Sequence, residues 1–300
     1  MDPPAQRPLL ALVLRLAAVA CLAVMLALVK LASARGVALP ELVFWRQVGP
    51  AALIVLWLSS RGELRRLRSR RLPAHVRRAG FGLVGMFLNL GSVILLPLAE
   101  ATVLGFTAPL FAVILAAILL HERVAAFRWS AVAVGFLGVL VIAGPGGGHM
   151  TAPGLAVGIG GAFMVALIAI QLRDLGRTEE PLTIVFWFSA LSAIVMAPAL
   201  PFVATRHETV TWALIGGIGV FGLFGQVALT AALRFGNVSS VIVMDYSSLI
   251  WSTLWGWLLW RQLPPAATWL GAPLIIAAGL LIVWREAMLA RENPVGPVTS

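Results

Sequence analysis

The side chains best placed to do chemistry in this 300-residue chain are polar groups that interrupt long apolar runs. Asp245 is the aspartate that lies within an apolar run, and its carboxylate could accept a proton or bind the amine of a solute. The alternatives are an N-cap for a helix that restarts at Tyr246, or an ion pair with a nearby arginine. We predict Asp245 as the leading proton-binding group, with Glu41 behind it.

A charged pair opens another apolar run, where Glu41 and Arg46 lie five residues apart. A carboxylate suits an ammonium group and a guanidinium suits a carboxylate, so the two side chains could bind the charged ends of an amino acid. For Glu41 the favoured interpretation is neutralisation at a membrane edge. Arg46 is kept as a candidate binding residue.

Neutral polar and aromatic residues within the apolar runs could line a cavity, because such groups are expensive to desolvate without a partner. Trp251 and Trp255 share one helix face by their spacing of four, and would give a flat wall beside Ser248 and Ser252, with packing or lipid contact as the alternative. A mostly neutral wall predicts broad specificity and weak affinity. The predicted wall consists of Asn89, Thr107, Gln171, Gln226, Tyr246, Trp251 and Trp255.

One proline lies where a helix must bend. Pro109 interrupts the apolar run 101–120 and frees the carbonyl four residues earlier, at Gly105. Such a break is tolerated in a membrane helix where it lines a cavity, so we predict that Pro109 takes part in gating.

Histidine and cysteine usage predicts neither a metal site nor a cofactor. The four histidines fall in loops or at the ends of apolar runs and do not cluster, and the single cysteine, Cys21, lies inside an apolar run. We therefore expect no metal, no disulfide and no cofactor.

The elements that must position these residues are membrane-spanning helices. With 60% hydrophobic and 11% charged residues, the chain lacks the polar surface of a water-soluble domain of this length. Runs of about 20 apolar residues match the hydrocarbon thickness of a bilayer. The ten predicted spans are roughly 9–29, 41–58, 79–96, 101–120, 129–144, 154–171, 183–200, 212–233, 238–260 and 267–284.

Positive charge predicts the orientation of these spans. Arginines concentrate in the segments that a cytoplasmic N-terminus would place inside, above all in 61–78, while the other side holds only Lys30, Arg35, Arg206 and Arg261. Both termini are therefore expected in the cytoplasm and the chain in a bacterial inner membrane. The net charge of +10 is loop-bound, so the bilayer, and not nucleic acid, is the expected macromolecular partner.

Internal duplication predicts how the spans are arranged. The sequence opening the second span, 40–45, returns with a one-residue slip at 181–187, and Trp129 returns as Trp269. Five spans per copy, an odd number, force the second copy to insert upside down. The predicted units are a first repeat at 1–144, a glycine-rich connector at 145–153, a second repeat at 154–285 and a cytoplasmic tail at 286–300.

These features together resemble the EamA branch of the drug/metabolite transporter superfamily. The resemblance rests on the ten spans in two halves, the ELVFWR motif of the second span, the HER turn after the fourth and the glycines of the fifth. It implies an all-α membrane protein with ten helices as two inverted five-helix repeats around a central cavity, small-molecule substrates and alternating access. Arg261 and Gln262 depart from the family, which commonly keeps a glutamate there.

The resemblance is nearest to bacterial exporters of amino acids, aromatic ones above all. We therefore expect a monomeric secondary transporter that exports aromatic and other neutral amino acids. Nucleotide-like, vitamin-like or drug-like solutes are the alternatives. A membrane-embedded enzyme is less favoured because histidine and carboxylate clusters are missing, and no phosphate-binding GxxxxGK[ST] loop is present to use ATP. Proton coupling and facilitated diffusion both stay open.

Overall fold

A computed structural model describes residues 8–119, 121, 124–144, 150–176, 178–235 and 244–292, and within these ranges the regular structure is helical. Outside them lie Glu122 and Arg123 of the predicted turn, most of the predicted connector (145–149) and the end of the predicted tail (293–300). The helices are α1 (Pro8–Ala34), α2 (Leu39–Ser60), α3 (Leu72–Leu95), α4 (Leu98–Gly105), α5 (Ala108–Leu119), α6 (Ala126–Ala143), α7 (Ala152–Leu175), α8 (Pro181–Met196), α9 (Leu200–Val203), α10 (Thr209–Phe235), α11 (Ser248–Trp260) and α12 (Ala266–Glu292).

Nine stretches of the described residues are long and apolar enough to cross a membrane. Two of them combine successive helices: α4 with α5 (Leu98–Leu119) and α8 with α9 (Pro181–Val203). The predicted ninth span, 238–260, begins outside the described residues and is seen as a 3-10 turn at Met244–Ser247 followed by the 13 residues of α11. The chain is thus a multi-pass membrane protein.

The contacts between helices match those expected if the two halves of the chain are related by a two-fold axis. The spans α1, α2, α3, α4–α5 and α6 form the first half, and α7, α8–α9, α10, α11 and α12 form the second. α1 packs on α10 and α3 packs on α7, two pairs that interchange when the halves are exchanged, while the pairs α2 with α8 and α6 with α12 map onto themselves. With five spans per half, this axis lies in the membrane plane.

The apolar core crosses from one half to the other. One buried cluster joins Leu42 of α2 and Leu90 of α3 to Ile218 of α10. A second joins Leu104 of α4 to Ile275 of α12. Because each cluster contains residues from both halves, neither half buries its apolar face alone.

α3 begins seven residues earlier than the sequence analysis predicts, at Leu72. Pro73 fits the first turn of a helix, where a backbone N–H has no intrahelical acceptor. His75 and Arg78 are consequently buried in a helix, and the assignment of this stretch to a loop was wrong. The Arg78 guanidinium lies 4.3 Å from the ring centroid of Phe188, so an aromatic face takes the place of water.

Candidate functional site

A cavity of about 400 Å³ lies between the two halves. Its walls come from α1, α3 and α4 of the first half, and from α7, α10, the turn before α11 and α11 itself in the second. Apart from Gly105 and Phe106, the lining is aliphatic except for five polar residues, which are Asn89, Thr102, Asp245, Ser248 and Ser252. Its volume is at the lower end of the usual range for small-molecule sites.

An ion pair holds the carboxylate of this cavity. Arg15 of α1 donates from Nε to Asp245 Oδ1 at 2.6 Å and from Nη2 to Asp245 Oδ2 at 2.5 Å. Arg15 is only 5% exposed, whereas the side chain of Asp245 is 39% exposed. Asp245 therefore faces the cavity and Arg15 lies behind it, in a two-bond geometry that only an arginine supplies.

Arg15 is not among the residues predicted for the site, although the sequence carries a signal for it. Arg15 is the single charged residue in the apolar run from Leu9 to Val29. An ionisable group at that depth is a functional candidate by default, and its cost requires a partner of opposite charge. The partner lies 230 residues away along the chain.

The predicted wall residues are distributed between the cavity and the surrounding packing. Asn89 lines the cavity, and Gln226 of α10 is half-buried one turn before Leu229, which also lines it. Thr107 is buried and donates its hydroxyl to the Leu104 carbonyl at 2.7 Å, while Gln171 is half-buried near the end of α7. Their roles in binding stay predictions.

Two of the three aromatic residues predicted for the wall, Tyr246 and Trp255, pack against other helices. Tyr246 meets the ring of Phe106 edge-on, with centroids 4.9 Å apart, and its hydroxyl lies against Gly279 of α12. Trp255 packs in the second apolar cluster, and Trp251 is half-buried on α11. The ring found in the cavity lining is that of Phe106, which the sequence analysis did not name, because span assignment does not fix how a helix is rotated.

The charged pair predicted at the start of α2 is separated in the structure. Glu41 Oε1 lies 2.9 Å from His207 Nε2, and both side chains are buried. The His207 ring packs near Trp212, with centroids 5.7 Å apart. The Nε of Arg46 points instead to the sulfur of Met25, at 3.3 Å. Glu41 is thus paired with a histidine from the connection before α10.

The arginine-rich stretch ties the halves together at the opposite end of α2. Arg71 Nη2 lies 2.7 Å from Asp174 Oδ2, and Arg66 Nη2 lies 2.8 Å from Glu180 Oε2. The hydrogen bonds that Arg66 donates to the carboxylates of Glu63 and Glu180 raise the pKa of Arg66 above its usual value. These pairs connect the segment between α2 and α3 to the end of α7 and to Glu180 just before α8. The Arg66 pair is exposed and the Arg71 pair is partly exposed, so each is individually weak in water.

A further charged group, missed by the sequence analysis, lies near the other end of the cavity. Glu100 is fully buried in the first turn of α4 and interacts electrostatically with Lys30. Lys30 also donates to the Leu96 carbonyl and lies 5.5 Å from the ring centroid of Trp260.

Across the described ranges, no group of three or more His, Cys, Asp or Glu side chains is arranged to hold a metal ion.

Comparison with known proteins finds a family match over nearly the whole chain. The EamA-like transporter family matches residues 9–144 and again 152–284. A pseudopaline exporter of Pseudomonas aeruginosa is 33% identical over 261 residues, covering 85% of this chain and 89% of the relative. A riboflavin transporter of Vibrio cholerae is 28% identical over 253 residues, covering 83% of this chain and 85% of the relative. A riboflavin transporter of Brucella anthropi is 27% identical over 256 residues, covering 83% of this chain and 89% of the relative.

A solved crystal structure shares the fold. It superposes with a TM-score of 0.60 at 18% identity and covers 94% of this chain and 98% of the other. The family match confirms the resemblance drawn from the sequence, and it confirms the all-α membrane fold of two inverted five-helix repeats. The chain is a member of the EamA-like transporter family, a multi-pass membrane protein that transports a small molecule and is not an enzyme.

Proposed function

We propose that this chain is a secondary transporter that exports amino acids with aromatic or other neutral side chains by alternating access. The observation that carries the proposal is a cavity whose walls come from both inverted halves. Rocking of one half on the other around such a site would expose it to each side of the membrane in turn.

The chemistry of the cavity supports an amphipathic solute. Aliphatic walls and the Phe106 ring suit an apolar side chain, and the polar groups of Asn89, Asp245 and Ser248 suit a small polar head group. Apolar contact gives little discrimination between similar side chains, since one methylene is worth about 1–3 kcal/mol. We therefore expect a broad substrate range among neutral amino acids.

The solutes of the relatives define a second candidate. The Pseudomonas aeruginosa relative is a pseudopaline exporter, and the relatives from Vibrio cholerae and Brucella anthropi are riboflavin transporters. These names favour riboflavin or pseudopaline as the solute of this chain. Riboflavin is the practical test compound, and its ring system would rely on Phe106 and the aliphatic wall.

Counterflow in proteoliposomes separates the candidates. Vesicles loaded with unlabelled phenylalanine should accumulate labelled phenylalanine, and excess methionine should compete better than glycine. Ile250→Ala, at an exposed position on α11 outside the cavity lining, is a control substitution and should transport like wild type. No phenylalanine counterflow, together with riboflavin counterflow, would replace the amino acid proposal by the second candidate.

We also propose that the protein lies in a bacterial inner membrane with both termini in the cytoplasm. The excess of arginine in the segments on the side of the termini supports this orientation. A green fluorescent protein fused after Ser300 should fluoresce and alkaline phosphatase at the same place should be inactive. The reverse result would invert the topology.

A further inference from the structure

We propose that Arg15 and Asp245 form an exchangeable ion pair whose two charges are taken over by the carboxylate and ammonium groups of a zwitterionic solute. This makes Arg15 a specificity-determining residue of the cavity. The inference rests on the proposed function and adds to it the chemistry by which the head group is recognised.

Asp245 is the acceptor that a solute meets first. It lines the cavity, and its side chain is 39% exposed although both of its oxygens accept hydrogen bonds from Arg15. It lies in the 3-10 turn just before α11, next to the hydroxyl-bearing Ser248, which also lines the cavity. An ammonium group in the cavity therefore has a carboxylate within reach, with a hydroxyl beside it.

Arg15 retains donors for a second carboxylate. Its Nε and Nη2 donate to Asp245, while Nη1 is buried and has no hydrogen-bond partner among the described residues. A buried donor without an acceptor is costly, and a guanidinium can bind a carboxylate through two parallel hydrogen bonds. As Asp245 turns to the ammonium group, a solute carboxylate would thus take over the Nε and Nη2 donors that Asp245 releases, and Nη1 is a further donor on the same guanidinium.

Charge balance selects the solute. The pair is neutral as a whole, and the rest of the cavity lining carries no formal charge among the described residues. A zwitterion exchanges partners with Arg15 and Asp245 and leaves no net charge in a medium of low dielectric constant. A simple amine would leave Arg15 uncompensated, and a simple acid would leave Asp245 uncompensated, each at a high cost inside the membrane.

The test compares three solutes that share a phenyl ring: phenylalanine, phenethylamine without the carboxylate, and 3-phenylpropionate without the ammonium. In wild-type proteoliposomes, the amine and the acid should each compete with labelled phenylalanine at least tenfold more weakly than phenylalanine itself. Arg15→Gln should lower the discrimination against the amine to below threefold and leave the discrimination against the acid unchanged. Asp245→Asn should lower the discrimination against the acid to below threefold and leave the discrimination against the amine unchanged.

Two controls keep the test decisive. Arg61→Gln, at an exposed arginine beyond α2, should discriminate like wild type. If the single variants fail to fold, the exchange Arg15→Asp with Asp245→Arg restores a pair and should keep the tenfold preference for phenylalanine. A folded exchange variant without that preference would overturn the inference.

Failure of the ion-pair role is distinguishable from failure of the proposed function. One outcome is that wild type transports phenylalanine and that Arg15→Gln and Asp245→Asn discriminate against the amine and the acid as wild type does. This outcome would show that the pair only supports the fold. A change confined to Lys30→Gln would move recognition to the other end of the cavity and equally overturn it. Wild type that transports none of the amino acids would overturn the proposed function and this inference together.

Discussion

Two of the carboxylates within the described membrane-spanning part lie beside a basic side chain. Asp245 has Arg15, and Glu41 has His207. Removing one member of a buried pair leaves an uncompensated charge, which costs far more than the pair contributes to stability. These two pairs should therefore respond strongly to single substitutions, whereas exposed charges should not.

Glu41→Ala should destabilise the protein by about 3 kcal/mol, because it leaves the buried His207 without its acceptor. Thermal unfolding in detergent, followed by tryptophan fluorescence, measures the effect. Glu208→Ala is the matched control, since the Glu208 side chain is 84% exposed and lies 3.9 Å from Arg35. Equal shifts in both variants would mean that the Glu41 pair carries no special stability.

If transport is proton-coupled, Asp245 is the carboxylate in the cavity lining that can bind the proton. Asp245→Asn should then abolish the dependence of uptake on an imposed pH gradient while solute exchange persists. Glu41→Gln is the comparison, because Glu41 lies outside the cavity lining and beside His207. An equal pH response in wild type and Asp245→Asn would remove Asp245 from coupling.

At the scale of elements, close helix crossings and breaks position the site. α6 and α12 approach so closely that a Cβ on Gly138 would lie 2.8 Å from the Gly271 carbonyl oxygen. The fourth span breaks at Phe106 and Thr107, between α4 and α5, and Pro109 lies in the first turn of α5. The proline thus starts a helix rather than kinking the middle of one, and the break turns Phe106 into the cavity.

Gly271→Ala should destabilise the protein by about 1–3 kcal/mol, because its Cβ would lie 2.5 Å from the Gly138 carbonyl oxygen, a backbone atom that cannot move aside. Gly216→Ala in α10 is the matched control. It has open space at the Cβ position and should be neutral or stabilising by up to about 1 kcal/mol. Melting temperatures of the two variants in one detergent decide the matter. A Gly271→Ala variant as stable as Gly216→Ala would contradict the close crossing.

Pro109→Ala restores an N–H at the start of α5 and should slow transport without unfolding the protein, if the break between α4 and α5 takes part in gating. The readouts are the counterflow rate and maleimide labelling of Val93→Cys, a cavity position, from each side of the membrane in a Cys21→Ala background. Unchanged transport and unchanged labelling would exclude Pro109 from gating.

At the scale of the whole molecule, composition and the odd number of spans in each half were sufficient to predict the fold. A bilayer permits few structures in which all backbone N–H and C=O groups are hydrogen-bonded. The residue partners were not predictable in the same way. Asp245 and Arg15 meet across 230 residues, and the rotation that puts Phe106 in the cavity while Trp255 packs in an apolar cluster depends on tertiary contacts. Arg78 was assigned to a loop because arginine is expected at membrane edges.

That the solute occupies the cavity between the two halves is tested most directly by substrate competition in Phe106→Ala. Phe106 is the aromatic ring of the cavity lining, and Phe224→Ala, at an exposed position on α10, is the matched control. In proteoliposomes, competition by phenylalanine and methionine should weaken about tenfold, about 1.4 kcal/mol, with little change for threonine and glycine. An identical loss for all four amino acids, or the same loss in Phe224→Ala, would contradict binding in this cavity.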